Sequence, residues 1–469
     1  MKKLLYLFAS ILLFFLVMSC NTQNKENKDT KHLFTGADGK IELIVLDPGH
    51  FHASLLQKFP QNQVNDTVLV FAPEGDELHQ YLQSIDGYNQ RVEDPTDWHE
   101  VVYAGSDYLE KMIEVKKGNV VVLAGNNAKK TDYILRSINA GFNLLSDKPM
   151  AINREGFELL KAAFNAARER DLYLYDVMTE RYDIINTLTR ELVNYKSLFG
   201  DLQEGTPNEP AINLVSVHHF FKEVSGNRLV RPAWFYDVEQ QGEGIVDVAT
   251  HLIDLVNWQC FPEQVIDYNT DVTITGARHW ATKLTMADFT RSTNLETYPE
   301  FLKKYLKEDT LCVYANGSIN YQVKGKNIAV TALWNYQAPP GGGDTHNALF
   351  KGTLATVEIV QNEAENYINQ LYIEKNPAAD EAVFEATLQE LIAHLQQTYP
   401  YISTQKIMAN RYQIIVPVEN RKGHEDYFGM VASKFFQFLV NREMPEWEIT
   451  NTLTKYFITT SALEIAKAE

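Results

Sequence analysis

Between residues 41 and 177, short apolar runs alternate with stretches of helical spacing, and this alternation constrains the fold more than any other feature. The runs at 41–47, 68–72, 120–124, 142–146 and 172–177 have strand length. Helical pattern occupies 50–56, 76–85, 130–140 and 151–167, with Gly141 placed to cap the third of these. Strands alternating with helices imply a parallel sheet with helices on both faces. The expectation is an α/β, doubly wound sheet whose ligand crevice lies at the carboxyl ends of its strands.

After residue 178 the pattern changes. Runs at 211–219, 271–275, 318–323, 328–336, 349–352, 356–361 and 367–373 are rich in β-branched and aromatic residues and read as a largely antiparallel, open sheet. The chain therefore divides into residues 40–177 and an α+β domain over 178–469, which helices at 426–466 complete. The open sheet is a substrate wall and a candidate surface for homo-oligomers. No internal repeat is visible.

The first turn of the parallel sheet should carry G-x-G-x-x-G if it cradles a dinucleotide, since missing side chains let backbone approach the pyrophosphate. Here Gly49 stands alone, followed by His50, Phe51, His52 and Ala53. The helix start still offers N–H groups to an anion. Gly125, Asn126 and Asn127 follow the third run and would share the crevice. Glu74, beyond the second run, is placed either to hold ribose hydroxyls or to be a solvated loop glutamate. His50 and His52 could share a metal, but apart from Asp47 no nearby carboxylate completes a set, so no metal is assigned.

Two motifs sharpen the reading. Asp247 and His251 stand four apart where a helix opens after Gly242-Glu243-Gly244, so they project from one helix face. Alone, that pair serves equally as a cap or as proton-handling chemistry. About a hundred residues earlier, Ala140-Gly141 leads through the fourth run to Asp147-Lys148-Pro149. Together these segments resemble the A-G-x-x-V-x-x-E-K-P and D-x-G-x-H-x-x-D motifs of the glucose–fructose oxidoreductase and inositol dehydrogenase family, with Asp147 for Glu and Ala249 for Gly. The resemblance covers roughly residues 40–260 and departs at 49–53.

The resemblance implies a Rossmann-like first domain binding NAD or NADP, and a sugar or polyol substrate. Lys148 would touch cofactor and substrate, His251 would take the proton of the hydroxyl being oxidised, and Asp247 would orient His251 or bind a neighbouring hydroxyl. It also places substrate-facing residues near Arg181 and Tyr182. His219 is either a plain sheet residue or a ligand contact, and a polar-tipped loop at 338–346 offers Asp344 and His346 as sugar contacts. Two alternatives stand beside a dehydrogenase: a glycoside-cleaving enzyme using transient oxidation, and a sugar-binding protein that has lost its cofactor.

Compartment comes from the N-terminus. Lys2 and Lys3 precede an apolar run over 4–18 that ends in Ser19-Cys20, similar to a bacterial lipoprotein signal. Residues 1–20 would be the signal, Cys20 the lipidated residue, and 21–39 a tether holding the protein on a membrane, facing periplasm or cell surface. A net charge of −18 argues against a nucleic-acid partner. Cys260 and Cys312 remain, with no thiolate cluster for zinc, and read as two buried thiols.

Overall fold

The computed structural model describes residues 33–224 and 227–468; the signal, Cys20 and most of the tether lie outside them. The first sheet contains β1 (Leu43–Leu46), β2 (Thr67–Ala72), β3 (His99–Ala104), β4 (Val120–Leu123), β5 (Asn143–Asp147) and β6 (Leu174–Val177). All pairs are parallel, in the order β3-β2-β1-β4-β5-β6. This is the dinucleotide-fold order, and its reversal point opens a crevice above the ends of β1 and β4. Strands β1, β4, β5 and β6 are buried at every residue, which is why they read as continuous runs. Strand β3 and the helix Tyr108–Val115 leave no such signal, because β3 is an edge strand exposed or half-exposed throughout.

The second sheet begins with β7 (Ile212–Phe221); a short pair, β8 (Glu223–Val224) and β9 (Asn227–Arg228), stands apart from it. It continues with β10 (Val272–Leu284), β11 (Leu306–Lys307), β12 (Thr310–Val323), β13 (Lys326–Gln337), β14 (Thr345–Lys351), β15 (Ala355–Val360), β16 (Gln370–Lys375), β17 (Ser403–Lys406) and β18 (Arg411–Ile415). The order is β10-β12-β13-β7-β14-β15-β16-β18-β17, antiparallel except where β13 runs parallel to β7. Helices Ile184–Asn194 and Ala249–Cys260 pack on it.

The terminal helices do not simply complete the second domain. His424–Asn441 places Phe428, Val431, Phe435 and Leu439 in one core with Val45, Val68, Val70 and Val122 of the first sheet. The reason is visible after β1, where the crossover helix is cut to His52–Leu55 and cannot cover that face. Glu446–Ala468 then wedges against β10 and the helices Arg154–Glu169 and Ala249–Cys260. Cys260 and Cys312 are both free thiols. Among the described residues no helix is long and apolar enough to cross a membrane.

Candidate active site

Lys148 closes β5, and its backbone is held from below. The Lys130 ammonium, on the helix Asn127–Ala140, donates to the carbonyls of Asp147 (2.9 Å) and Lys148 (3.4 Å). Burial lowers the Lys130 pKa to about 8. The Lys148–Pro149 peptide is cis. From this seat Lys148 Nζ donates to Asp247 Oδ1 at 2.6 Å, while Gln241 Nε2 donates to Asp247 Oδ2 at 3.1 Å. Burial works against the Lys148 charge, but Asp247 and Asp147 outweigh it and raise its pKa.

Asp247 lies one turn before His251, just outside the helix Ala249–Cys260, and gives both oxygens to other partners. His251 is left with a buried Nδ1 that has no hydrogen-bond partner. Burial first, and then the charge of Lys148, lower its pKa well below the usual histidine value, so the ring is neutral. The expected Asp–His pairing is thus replaced by a Lys–Asp ion pair beside a neutral imidazole. The loop that positions them needs glycine at Gly244, where a Cβ would fall 1.7 Å from the Ala315 carbonyl oxygen.

These groups face a cavity of about 1060 Å³ between the two sheets. Its walls include His50, Lys148, Asp247, His251 and the loop joining β13 to β14. Glu180, from the single turn Thr179–Tyr182 after β6, also lines it. Burial and then Asp183 raise the Glu180 pKa to about 7, with Lys148 opposing. Arg181 and Tyr182, the side chains expected at the substrate from this turn, are not among those lining the cavity. Arg181 turns into the core, forming a two-pronged bond to Asp254 (2.6 and 2.7 Å) and another to Glu448 at 2.8 Å. Lys455 extends the network to Asp254 and Asp176. Tyr182 packs with the core of the first sheet. Arg181 and Tyr182 are therefore structural, because the charge of Arg181 is consumed by carboxylates distant in sequence.

On the far wall, His218 and His219 (Nδ1 at 3.1 and 3.0 Å) and Lys222 (2.7 Å) converge on Asp344. Against the cost of burial, they hold its carboxyl far below the usual range. His346 lines the same wall with a buried, unpartnered Nε2, and burial lowers its pKa to about 4.

The expected cofactor residues divide. Gly49 and His50 both donate their backbone N–H to the Ala124 carbonyl at 3.1 Å, so these donors are turned away from a pyrophosphate. Gly125 lies so close that a Cβ would sit 2.3 Å from the Asp47 carbonyl oxygen. Asn126 caps the following helix and bonds Gln240, while Asn127 bonds the Gln241 carbonyl. Glu74 pairs with exposed His79 on the surface, away from the cavity. Positive charge comes instead from Arg231, a residue the sequence reading missed. It is 5% exposed, bonded to the carbonyls of Phe220 and His219, and faces a small cavity of about 110 Å³ beside Pro48, Gly49 and Phe51. Lys148 and Arg231 both put positive charge on the wall of the large cavity.

Asp147 supplies the carboxylate missing beside the histidines in sequence. Its Oδ2 lies 2.9 Å from His52 Nδ1 and 3.9 Å from His50 Nδ1. The His50 and His52 rings meet edge to face with centroids 4.1 Å apart, and Phe51 touches both, its centroid 4.6 and 4.4 Å away.

The family model described as "Putative oxidoreductase C terminal domain" matches residues 188–467. The crystal structure of a "putative oxidoreductase" from Parabacteroides merdae is similar at 47% identity and a TM-score of 0.91, covering 93% of this chain and 99% of that one. Levoglucosan dehydrogenase in complex with NADH and levoglucosan shares the fold at 11% identity and a TM-score of 0.58, covering 91% and 97%. So does KijD10, a 3-ketoreductase from Actinomadura kijaniata in complex with NADP, at 12% identity and a TM-score of 0.52, covering 91% and 97%. No curated protein matches the chain.

Proposed function

The chain belongs to the oxidoreductase family defined by that C-terminal domain, and from this premise we propose that it oxidises a sugar or polyol hydroxyl, or reduces the corresponding ketone, with NAD or NADP. The observation that carries the reading is Lys148, 2.6 Å from Asp247 at the end of β5, with neutral His251 one helical turn further on. The sugar complexes and nucleotide complexes of the distant structural relatives support the substrate and cofactor classes.

Lys148 and Arg231 would hold the nucleotide, which would supply hydride exchange at the sugar carbon. Lys148 donates a hydrogen bond to the reacting oxygen and stabilises its developing negative charge. Asp247 keeps Lys148 charged and fixes its direction. His251, neutral and lining the cavity, accepts the hydroxyl proton. The imidazoles and Lys222 around Asp344 present donors and an acceptor to the remaining hydroxyls. Fluorescence titration of the purified protein with NADH and NADPH, followed by mass spectrometry of glycosides incubated with the oxidised nucleotide, tests this. Absence of binding for both nucleotides sinks the reading.

Glu180 favours a second reading, redox-assisted glycoside cleavage. A carboxyl still protonated near pH 7 beside Lys148 is suited to protonate a leaving oxygen once the ring is oxidised. Released aglycone without net nucleotide reduction would mark this chemistry. The lipid anchor at Cys20 and homo-oligomer formation through the second sheet belong to the same proposal. Loss of membrane association in Cys20→Ala and light scattering of the purified chain test them.

A further inference from the structure

The turn after β1 and the end of β5 bring together a donor set that neither segment contains alone. His50 and His52 come from the turn, Asp147 from the strand, and one ligand atom from each lies within 4.8 Å of the other two. A zinc-type ion bound at about 2.0–2.2 Å separates neighbouring ligand atoms by roughly 3–3.5 Å. The observed 2.9 Å (His52–Asp147) and 3.9 Å (His50–Asp147) bracket that spacing, and a bound ion would displace the contact in which His50 Nδ1 accepts the His52 backbone N–H at 3.3 Å. The nearby cations do not occupy the carboxylate: Lys148 is paired with Asp247, and Lys130 faces backbone carbonyls. Both histidines line the large cavity, as does His424, whose ring centre lies 5.3 Å from that of His52.

The geometry points to a binding site for one divalent first-row transition metal at His50, His52 and Asp147, with its open positions turned to the cavity. Two imidazoles and one carboxylate select such an ion over calcium or magnesium, which prefer all-oxygen shells. Three protein ligands with an open side form the arrangement that binds water or a substrate oxygen. Metal uptake is measured without nucleotide, so it stands or falls separately from the cofactor reading.

The test is titration of chelator-treated full-length protein with Co²⁺, followed by visible absorption, and with Zn²⁺, followed by calorimetry. One ion per chain is expected, with ligand-field bands on cobalt binding. His52→Ala and Asp147→Asn should each weaken binding by about 100-fold or more. Circular dichroism identifies any variant that fails to fold, in which case His50→Ala takes its place. No uptake by the parent protein, or undiminished uptake by all folded variants, overturns the inference. The first of these outcomes would leave His52–Asp147 as a plain hydrogen bond.

Discussion

Lys148 Nζ lies 2.6 Å from Asp247 Oδ1, a buried ion pair joining the end of the first sheet to the helix start of the second domain. The pair links residues 99 positions apart and makes the two motifs one site. It also decides what Asp247 does, since its two oxygens accept from Lys148 and Gln241 while His251 Nδ1 stays unpartnered.

Breaking this pair should cost stability as well as activity. Lys148→Met or Asp247→Asn leaves one buried group unmatched, a loss of about 3 kcal/mol for such pairs. The double variant should lose less than the sum of the two. A double-mutant cycle by urea unfolding measures the coupling, and strict additivity would contradict a direct ion pair.

His251 should behave in the opposite way. Its buried Nδ1 lacks a partner, and leaving such an atom unsatisfied costs about 1–3 kcal/mol. His251→Leu should therefore keep or raise the melting temperature while reducing kcat by about 10²–10⁴, the range for a lost general base. A lower melting temperature with intact kcat would assign the ring a structural role.

Glu180 sets a pH dependence. Its folded pKa of about 7 exceeds the usual carboxyl value of 4.5, so between these values the folded state holds a proton the unfolded state has lost. Its contribution to stability is complete below pH 4.5 and disappears as pH rises through 7. Glu180→Gln should flatten that part of the stability–pH curve and move the limb near pH 7 in the rate profile. Chemical denaturation at a series of pH values checks the first effect, and an unchanged slope would place the carboxyl in ordinary solvent.

Arg181 separates a structural from a substrate-contacting role. Arg181→Met strands Glu448, leaves Asp254 with Lys455 alone, and should destabilise the protein by about 3–5 kcal/mol. The folded fraction should retain the parent KM for its sugar. A raised KM without loss of stability would restore the substrate contact that the family resemblance implies.

Much of the architecture was legible because burial on both faces writes long apolar runs into β1, β4, β5 and β6. Strand β3 escaped because an exposed edge imposes no such pattern. The place of the helix His424–Asn441, though not its existence, escaped for a different reason. His424–Asn441 is an ordinary amphipathic stretch by sequence, and only the shortened His52–Leu55 crossover leaves it a place on the first sheet.

The sequence by itself determined the doubly wound sheet, the position of Lys148 at a strand's carboxyl end, and the Asp247–His251 spacing. Those follow from local periodicity, which neighbouring residues enforce. Tertiary structure alone decided the partners: Asp247 with Lys148, Arg181 with Asp254 and Glu448, Asp147 with His50 and His52, and Glu180 rather than Arg181 at the cavity. Charges and polar groups taken out of water must find partners wherever the fold puts them, and for these residues the partners are 73 to 267 positions away.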